Sequence, residues 1–366
     1  MSLVSFKRAY LVKQRYAASM LKKRGIHGVG VGFKDPAKPH KGAALIVYAD
    51  KAVTTAAPRS KSGSPVRRKS PLLPSAVKKQ VPVRIVGTGK FRKNAVDCGG
   101  GRFRRRIRPV IAGYSVGTPE GSGTAGLIVS DKGCPHSRYI LSNNHVLVNE
   151  NSSRYSPTLQ PGAADNGALR KDQIGIMTRF IKLHKNKPNY LDAALSAPLR
   201  RRLLAPKYAV FGNVPGYVST YKIGDRMKKV GRTTGIVSGR VESIHTDIQV
   251  DYGSYGNLGT ITFKNQSVIR GKKPVSLSGD SGSVWLTKSG NQAAAVNFAG
   301  SDEGRLSIAY PIDWFMKVFG TRVARSGRSA LNLPARGKRK SYMCVRPLNS
   351  QLRKRMTPYH CHHQQR

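Results

Sequence analysis

From Tyr139 onward the chain breaks into short apolar runs set between turn signals: Tyr139–Leu141, Leu191–Leu195, Thr234–Ile244, Thr260–Phe263, Val284–Thr287, Ala293–Phe298 and Leu306–Tyr310. No helical pattern alternates with them, which predicts an all-β barrel architecture rather than a layered α/β fold. The region is expected to begin near Arg108–Gly113, with Ala125–Val129 as its next strand after the turn Gly121-Ser122-Gly123. At its end Ile312, Phe315, Met316 and Phe319 fall at i, i+3, i+4 and i+7 with Gly320 behind them, predicting an amphipathic helix and its stop.

Ahead of this region, Val12, Tyr16 and Met20 recur at intervals of four within Arg8–Lys23, predicting a helix that Gly25 ends. Gly28–Phe33, Ala43–Tyr48 and Val81–Val86 read as strands, so residues 1–103 are expected to form a small α+β domain with a basic linker. The alternating Gly28, Gly30 and Gly32 lack the continuation of a phosphate-binding loop and predict close backbone packing. Residues 104–325 form the second domain, and 326–366, rich in Lys and Arg with few apolar anchors, are expected to be a disordered basic tail.

Charge is the unusual feature of the composition. Lys and Arg number 65 against 17 Asp and Glu, a formal net charge of +48 in 366 residues. No acidic residue occurs from Ala52 to Val96, and after Gly304 there is only Asp313. Such a field attracts polyanions, and nucleic acid or another polyanion is an expected partner of the linker and tail. Five arginines crowd Arg102–Arg108, read as a solvated linker. The four cysteines, Cys98, Cys134, Cys344 and Cys361, lie away from the candidate site, and no signal-peptide core or membrane-length run is present. The expectation is a reducing, cytoplasmic location with no membrane partner. His360-Cys361-His362-His363 has no spacing that gathers ligands on one ion, so no metal and no cofactor is expected.

Ser278-Gly279-Asp280-Ser281-Gly282-Ser283 is the stretch that carries chemistry. Its glycines permit a tight loop that turns backbone N–H groups toward the Ser281 hydroxyl, as a nucleophile and oxyanion site need. A serine also needs a base and a carboxylate that orients it. His145, just past the apolar Tyr139–Leu141, and Asp192, among the small and apolar residues of Tyr190–Leu195, are the candidates. Asp165, Asp172, Asp225, Asp247 and Asp251 also lie between His145 and Ser281, but in polar or glycine-rich surroundings typical of exposed loops.

The order His145, Asp192, Ser281 in these contexts resembles the trypsin-like serine peptidases of the chymotrypsin type. Val230-Gly231-Arg232-Thr233-Thr234-Gly235 is similar to a motif of the bacterial alpha-lytic branch. The N-terminal block resembles that of bacterial relatives of the plant narrow-leaf-type peptidases. The resemblance implies two six-stranded β-barrels with the active site between them, a C-terminal helix, and hydrolysis of protein or peptide substrates through an acyl-enzyme. It implies His145 as general base, Asp192 as orienting carboxylate, Ser281 as nucleophile, and the Gly279 and Ser281 amides as oxyanion hole. It also implies an ion pair between Arg232 and Asp280, which would dispense with activation cleavage. By the family's spacing Val275 floors the first specificity pocket, and Phe298, Ala299 and Gly300 form its wall and pair with substrate backbone. With no acidic residue at the floor, small or apolar side chains are expected before the cut. The competing expectation is a non-catalytic or latent protein of this fold that binds a polyanion.

Overall fold

The computed structural model describes residues 3–51, 73–93, 101–325 and 341–361. Its strands fall into two main sheets. The first has nine strands, with Leu127–Asp131, Tyr139–Ser142, Ala194–Pro198, Gln173–Phe180 and Pro157–Leu159 adjacent in that order. Around Ile128, Ile140, Phe180 and Ala194 it buries an apolar core. In the second sheet, of ten strands, Arg226–Gly231, Val284–Thr287, Ala293–Ser301, Leu306–Pro311, Thr260–Arg270 and Gly235–Asp251 pair successively, and the last pairs back with the first. These six strands form a closed ring. The sheets carry nine and ten strands in all, because additional segments join them.

The N-terminal block supplies all four additions to the second sheet among the described residues. Ile26–Phe33 lies antiparallel to Gly235–Asp251, with Gly28 opposite Ile248 and Gly32 opposite Ser243. Ala43–Ala49 and Val83–Gly87 follow outward. Every residue of Ile26–Phe33 is buried, so it is covered on both faces and has little room for side chains. A Cβ on Gly32 would stand 2.7 Å from the Glu242 carbonyl oxygen, which explains the glycine alternation as close packing.

The helix Phe6–Leu21 is capped by the Ser5 hydroxyl, which accepts from the Arg8 amide at 3.2 Å. It lays Val12, Ala17 and Met20 on Val29, Leu45 and Val47. The fully buried Lys13 ammonium meets Asp247 at 2.5 Å and ties the helix to the long strand of the ring. Asp247, expected in an exposed loop, is therefore a buried partner.

Two basic stretches are more structured than their composition suggests. In Arg102–Arg108, Phe103 and Arg104 are buried, the Phe103 ring stands edge-on to Tyr114 at 5.4 Å, Arg106 pairs with Asp172 at 3.0 Å, and Arg108 donates to the Gln160 carbonyl at 2.9 Å. A few apolar and polar anchors turn this run into packed chain, so the solvated-linker expectation fails here. Residues 326–340 lie outside the described residues, but 341–361 dock, correcting the expectation of a wholly disordered tail. Val345 and Met356 are buried, the Trp314 indole donates to the Arg346 carbonyl at 3.0 Å, and Tyr359–His360 adds to the edge of Gln173–Phe180. Two apolar anchors and an unpaired sheet edge suffice to order it. The helix Ile312–Phe319 ends as expected, with Gly320 left-handed at φ 65°.

The docked tail covers His245, whose ring stands edge-on to Tyr10 at 5.0 Å. Burial first, then Lys13 and Arg346, push its pKa down to about 3. A neutral histidine in the fold that titrates near 6.5 when unfolded means the unfolded chain binds more protons between those values. Stability is complete above pH 6.5 and is lost as pH falls toward 3. Over that window wild type should lose a few kcal/mol more than His245→Asn, measured by denaturant unfolding at stepped pH; parallel pH profiles would contradict this.

Candidate active site

Asp192 precedes the strand Ala194–Pro198 and is wholly buried. A buried carboxylate must be matched by donors, and four converge on it. The Asn144 amide donates to Oδ1 at 2.6 Å, with the His145 amide at 3.4 Å; His145 Nδ1 meets Oδ2 at 2.5 Å, and the Tyr252 hydroxyl donates to the same oxygen at 2.5 Å. The Asn143 side chain closes the frame by donating to the Asp192 carbonyl at 2.6 Å. The short helix Asn144–Leu147, entered straight from the strand Tyr139–Ser142, aims these groups inward.

The histidine ring is fixed from the side as well. Tyr252 and Tyr255 stand edge-on to it at 5.6 Å and 6.4 Å. The Tyr255 hydroxyl donates to Asn144 Oδ1 at 2.6 Å. Burial, and then the charge of Asp192, push the phenols of both tyrosines well above their ordinary pKa, so both remain donors. Lys93 lies 4.5 Å over the Tyr255 ring, and its pKa is lowered by burial against the opposing pull of Asp192, Glu150 and Asp251.

Ser281 lies in a loop whose glycines take conformations closed to other residues, with φ 86° at Gly279 and 90° at Gly282. Among the described residues the Asp280, Gly282 and Ser283 amides donate to protein carbonyls, while those of Gly279 and Ser281 do not. Two free N–H groups therefore flank the hydroxyl. The serine and histidine segments meet at Gly123: a Cβ there would stand 2.9 Å from the Ser281 carbonyl oxygen and 2.5 Å from Val146, the neighbour of His145. The Ser281 hydroxyl donates to the Phe298 carbonyl at 3.2 Å, and His145 Nε2 is buried with no hydrogen-bond partner among the described residues.

The expected pairing of Arg232 with Asp280 is replaced by a different arrangement. Arg232 forks onto Asp165, with Nε and Nη2 at 2.5 Å and 2.7 Å from its two oxygens. Asp280 accepts from the Thr233 and Thr234 amides at 3.1 Å and 3.0 Å and from the Leu277 amide at 2.9 Å, and faces the Lys229 ammonium at 3.9 Å. The Arg232-Thr233-Thr234 turn serves Asp280 through its backbone, while the arginine side chain crosses to a carboxylate that had read as an exposed loop residue. Lys229, wholly buried and 5.5 Å over the Trp285 ring, was not anticipated. Its place three residues before Arg232 on an inward-facing strand position was the available signal.

Of the expected substrate-binding residues, Val275 is buried with Ile269 and Trp285 in the core of the second sheet. The Val275 and Ser276 amides both reach the Gly304 carbonyl, at 2.7 Å and 3.0 Å, and hold that segment flat. Phe298 packs inward on Phe263, ring centroids 4.6 Å apart. Ala299 continues the same strand, and Gly300 is paired with Arg92 of the N-terminal block. Tyr252 and Tyr255 were also missed. The two tyrosines flanking the turn Gly253-Ser254 were their only sequence trace.

No protein-family model matches this chain. No curated protein matches it either. Among solved structures it is similar to a glutamic acid-specific serine protease (18% identity, 58% of this chain and 100% of that one, TM-score 0.41). It is also similar to the Nocardiopsis protease NAPase (17%, 59% and 99%, 0.42) and to Cellulomonas bogoriensis chymotrypsin (18%, 58% and 97%, 0.40). At such distances the site stands on its own geometry.

Removing the Lys229 charge leaves Asp280 buried without its facing cation, a change that costs about 3–5 kcal/mol when a buried pair is broken. Lys229→Met should lower the unfolding free energy by that order. An unchanged midpoint and slope in denaturant would contradict the role assigned to Lys229.

Proposed function

We propose that the protein is a serine endopeptidase in which Ser281 attacks the carbonyl of a protein or peptide substrate. The observation that carries this reading is the His145–Asp192 pair, held in a dry frame of four donors beside a serine loop with two unengaged amides. The Ser281 hydroxyl rotates from the Phe298 carbonyl to His145 Nε2, which has no other partner among the described residues. As the oxygen bonds to the substrate carbon, the imidazole takes its proton, and Asp192 keeps the Nδ1–H tautomer in place. The Gly279 and Ser281 amides receive the oxyanion. His145 then protonates the leaving amine, and water repeats the sequence to release the acyl group. Asp280 and its donors act through the loop and hold the glycines in their left-handed turns.

Small or apolar side chains are favoured before the cut. No carboxylate occurs in Val275–Ser278 or Phe298–Ser301, and a basic preference would expose a chain with 65 Lys and Arg to itself.

A fluorophosphonate forms a stable bond only with an activated serine, so it tests this reading directly. Wild type should label at Ser281, Ser281→Ala should not, and His145→Ala should label at least about a thousandfold more slowly. Folded wild type that does not label would refute the proposal.

A further inference from the structure

The edge of Ala293–Ser301 that receives substrate can be followed residue by residue. Its opposite edge is taken by Leu306–Pro311, with Gly300 opposite Ser307. The Phe298 carbonyl faces the serine, since it accepts the Ser281 hydroxyl. The strand is irregular between Asn297 and Ala299, and Gly300, two residues on from Phe298, has its other edge on the side away from Ser307. A peptide added antiparallel with its residue before the cut (P1) opposite Phe298 would set P2 opposite Ala299 and P3 opposite Gly300.

That third place is filled. Arg92 pairs antiparallel with Gly300, and Phe91 with Ser301. The same two residues pair in parallel with Asp251 and Val250, so the strap Phe91–Arg92 bridges two strands of the ring. Its anchors are internal. Phe91 is 1% exposed and stands edge-on to Tyr48 at 5.8 Å, while the Lys93 amide donates to the Asp251 carbonyl at 3.0 Å. The exposed pair of Arg92 with Asp302, at 3.4 Å, adds little to this. The buried Phe91 ring holds the strap on one side and ladders hold it on both edges, so it is a wall and not a loose flap.

We propose that this strap ends the unprimed side of the cleft after P2. Resting on the serine-peptidase reading, the inference is that substrates are recognised by P1, P2 and the residues after the cut, with no strand pairing at P3 or P4. Peptides cut two residues from their N-terminus are then handled as well as long ones, and Arg92 sets that limit.

The test begins with fluorophosphonate labelling, whose failure would remove the serine-peptidase reading itself. With labelling enzyme, cleavage sites are mapped by mass spectrometry on a mixed peptide library. kcat/KM is then measured on acylated peptides with one to five residues before one cut site. Selectivity should be confined to P2 and the positions after it, and kcat/KM should rise from one to two residues and then stay level. A rise of about tenfold or more between two and four residues would overturn the proposal. Arg92→Pro, which removes the strap's N–H opposite Gly300, should restore a gain from P3 and P4. Hydrogen exchange supplies a readout independent of turnover. The Arg92 and Gly300 amides should be protected as strongly as those of Val268 and Ile269, before and after labelling; exchange at the rate of an exposed loop would make the strap a movable lid and overturn the wall.

Discussion

The structure depends on one buried charge. Asp192 has no access to water, and its carboxylate is matched only because four donors from distant segments arrive together. Three of the donors lie on Asn144 and His145, just past a strand of the first sheet, but Tyr252 follows the last residue of the longest strand of the second. The charge thus joins the two sheets at the point where His145 is held. Losing any one donor leaves part of a charge unpaired in a dry site, a penalty larger than the net worth of an ordinary hydrogen bond. The same low polarity that makes the carboxylate costly strengthens its hold on the imidazole.

A second buried carboxylate does a related task on the serine side. Asp280 is held by three amides and faces Lys229, while Arg232 is spent on Asp165. These contacts come from the Arg232–Thr234 turn, the strand before it and the segment leading into the loop. They leave the loop little freedom except the left-handed turns at Gly279 and Gly282, between which the Ser281 amide has no carbonyl partner among the described residues. All of these groups are internal to the chain.

Much of this was legible in the sequence because it rests on local patterns. The histidine after an apolar strand, the aspartate among small residues and the glycine-flanked serine each carry a local signature, and the structure brings their segments to one place. The closing helix was equally plain, from the spacing of Ile312, Phe315, Met316 and Phe319 and from Gly320. What escaped depends on side chains crossing between elements. Nothing near Arg232 tells whether its guanidinium turns to Asp280 or to Asp165, and nothing near Tyr252 tells that its hydroxyl ends on Asp192. Composition misled twice: Arg102–Arg108 and 341–361 read as solvated because they are basic, yet Phe103, Val345 and Met356 are enough to seat them. The strap at Phe91 was hidden because a two-residue strand has no periodicity to detect.

The most direct measurement of the account is the low-field proton spectrum of the purified protein. A hydrogen bond from His145 Nδ1 to the buried Asp192 carboxylate strips electron density from its proton, which should resonate far downfield of the amide region. The account predicts one such resonance in wild type, lost in Asp192→Asn and in His145→Ala and retained in Ser281→Ala. A folded wild-type protein without it, at a temperature low enough to slow exchange, would contradict the buried pair on which the site is built.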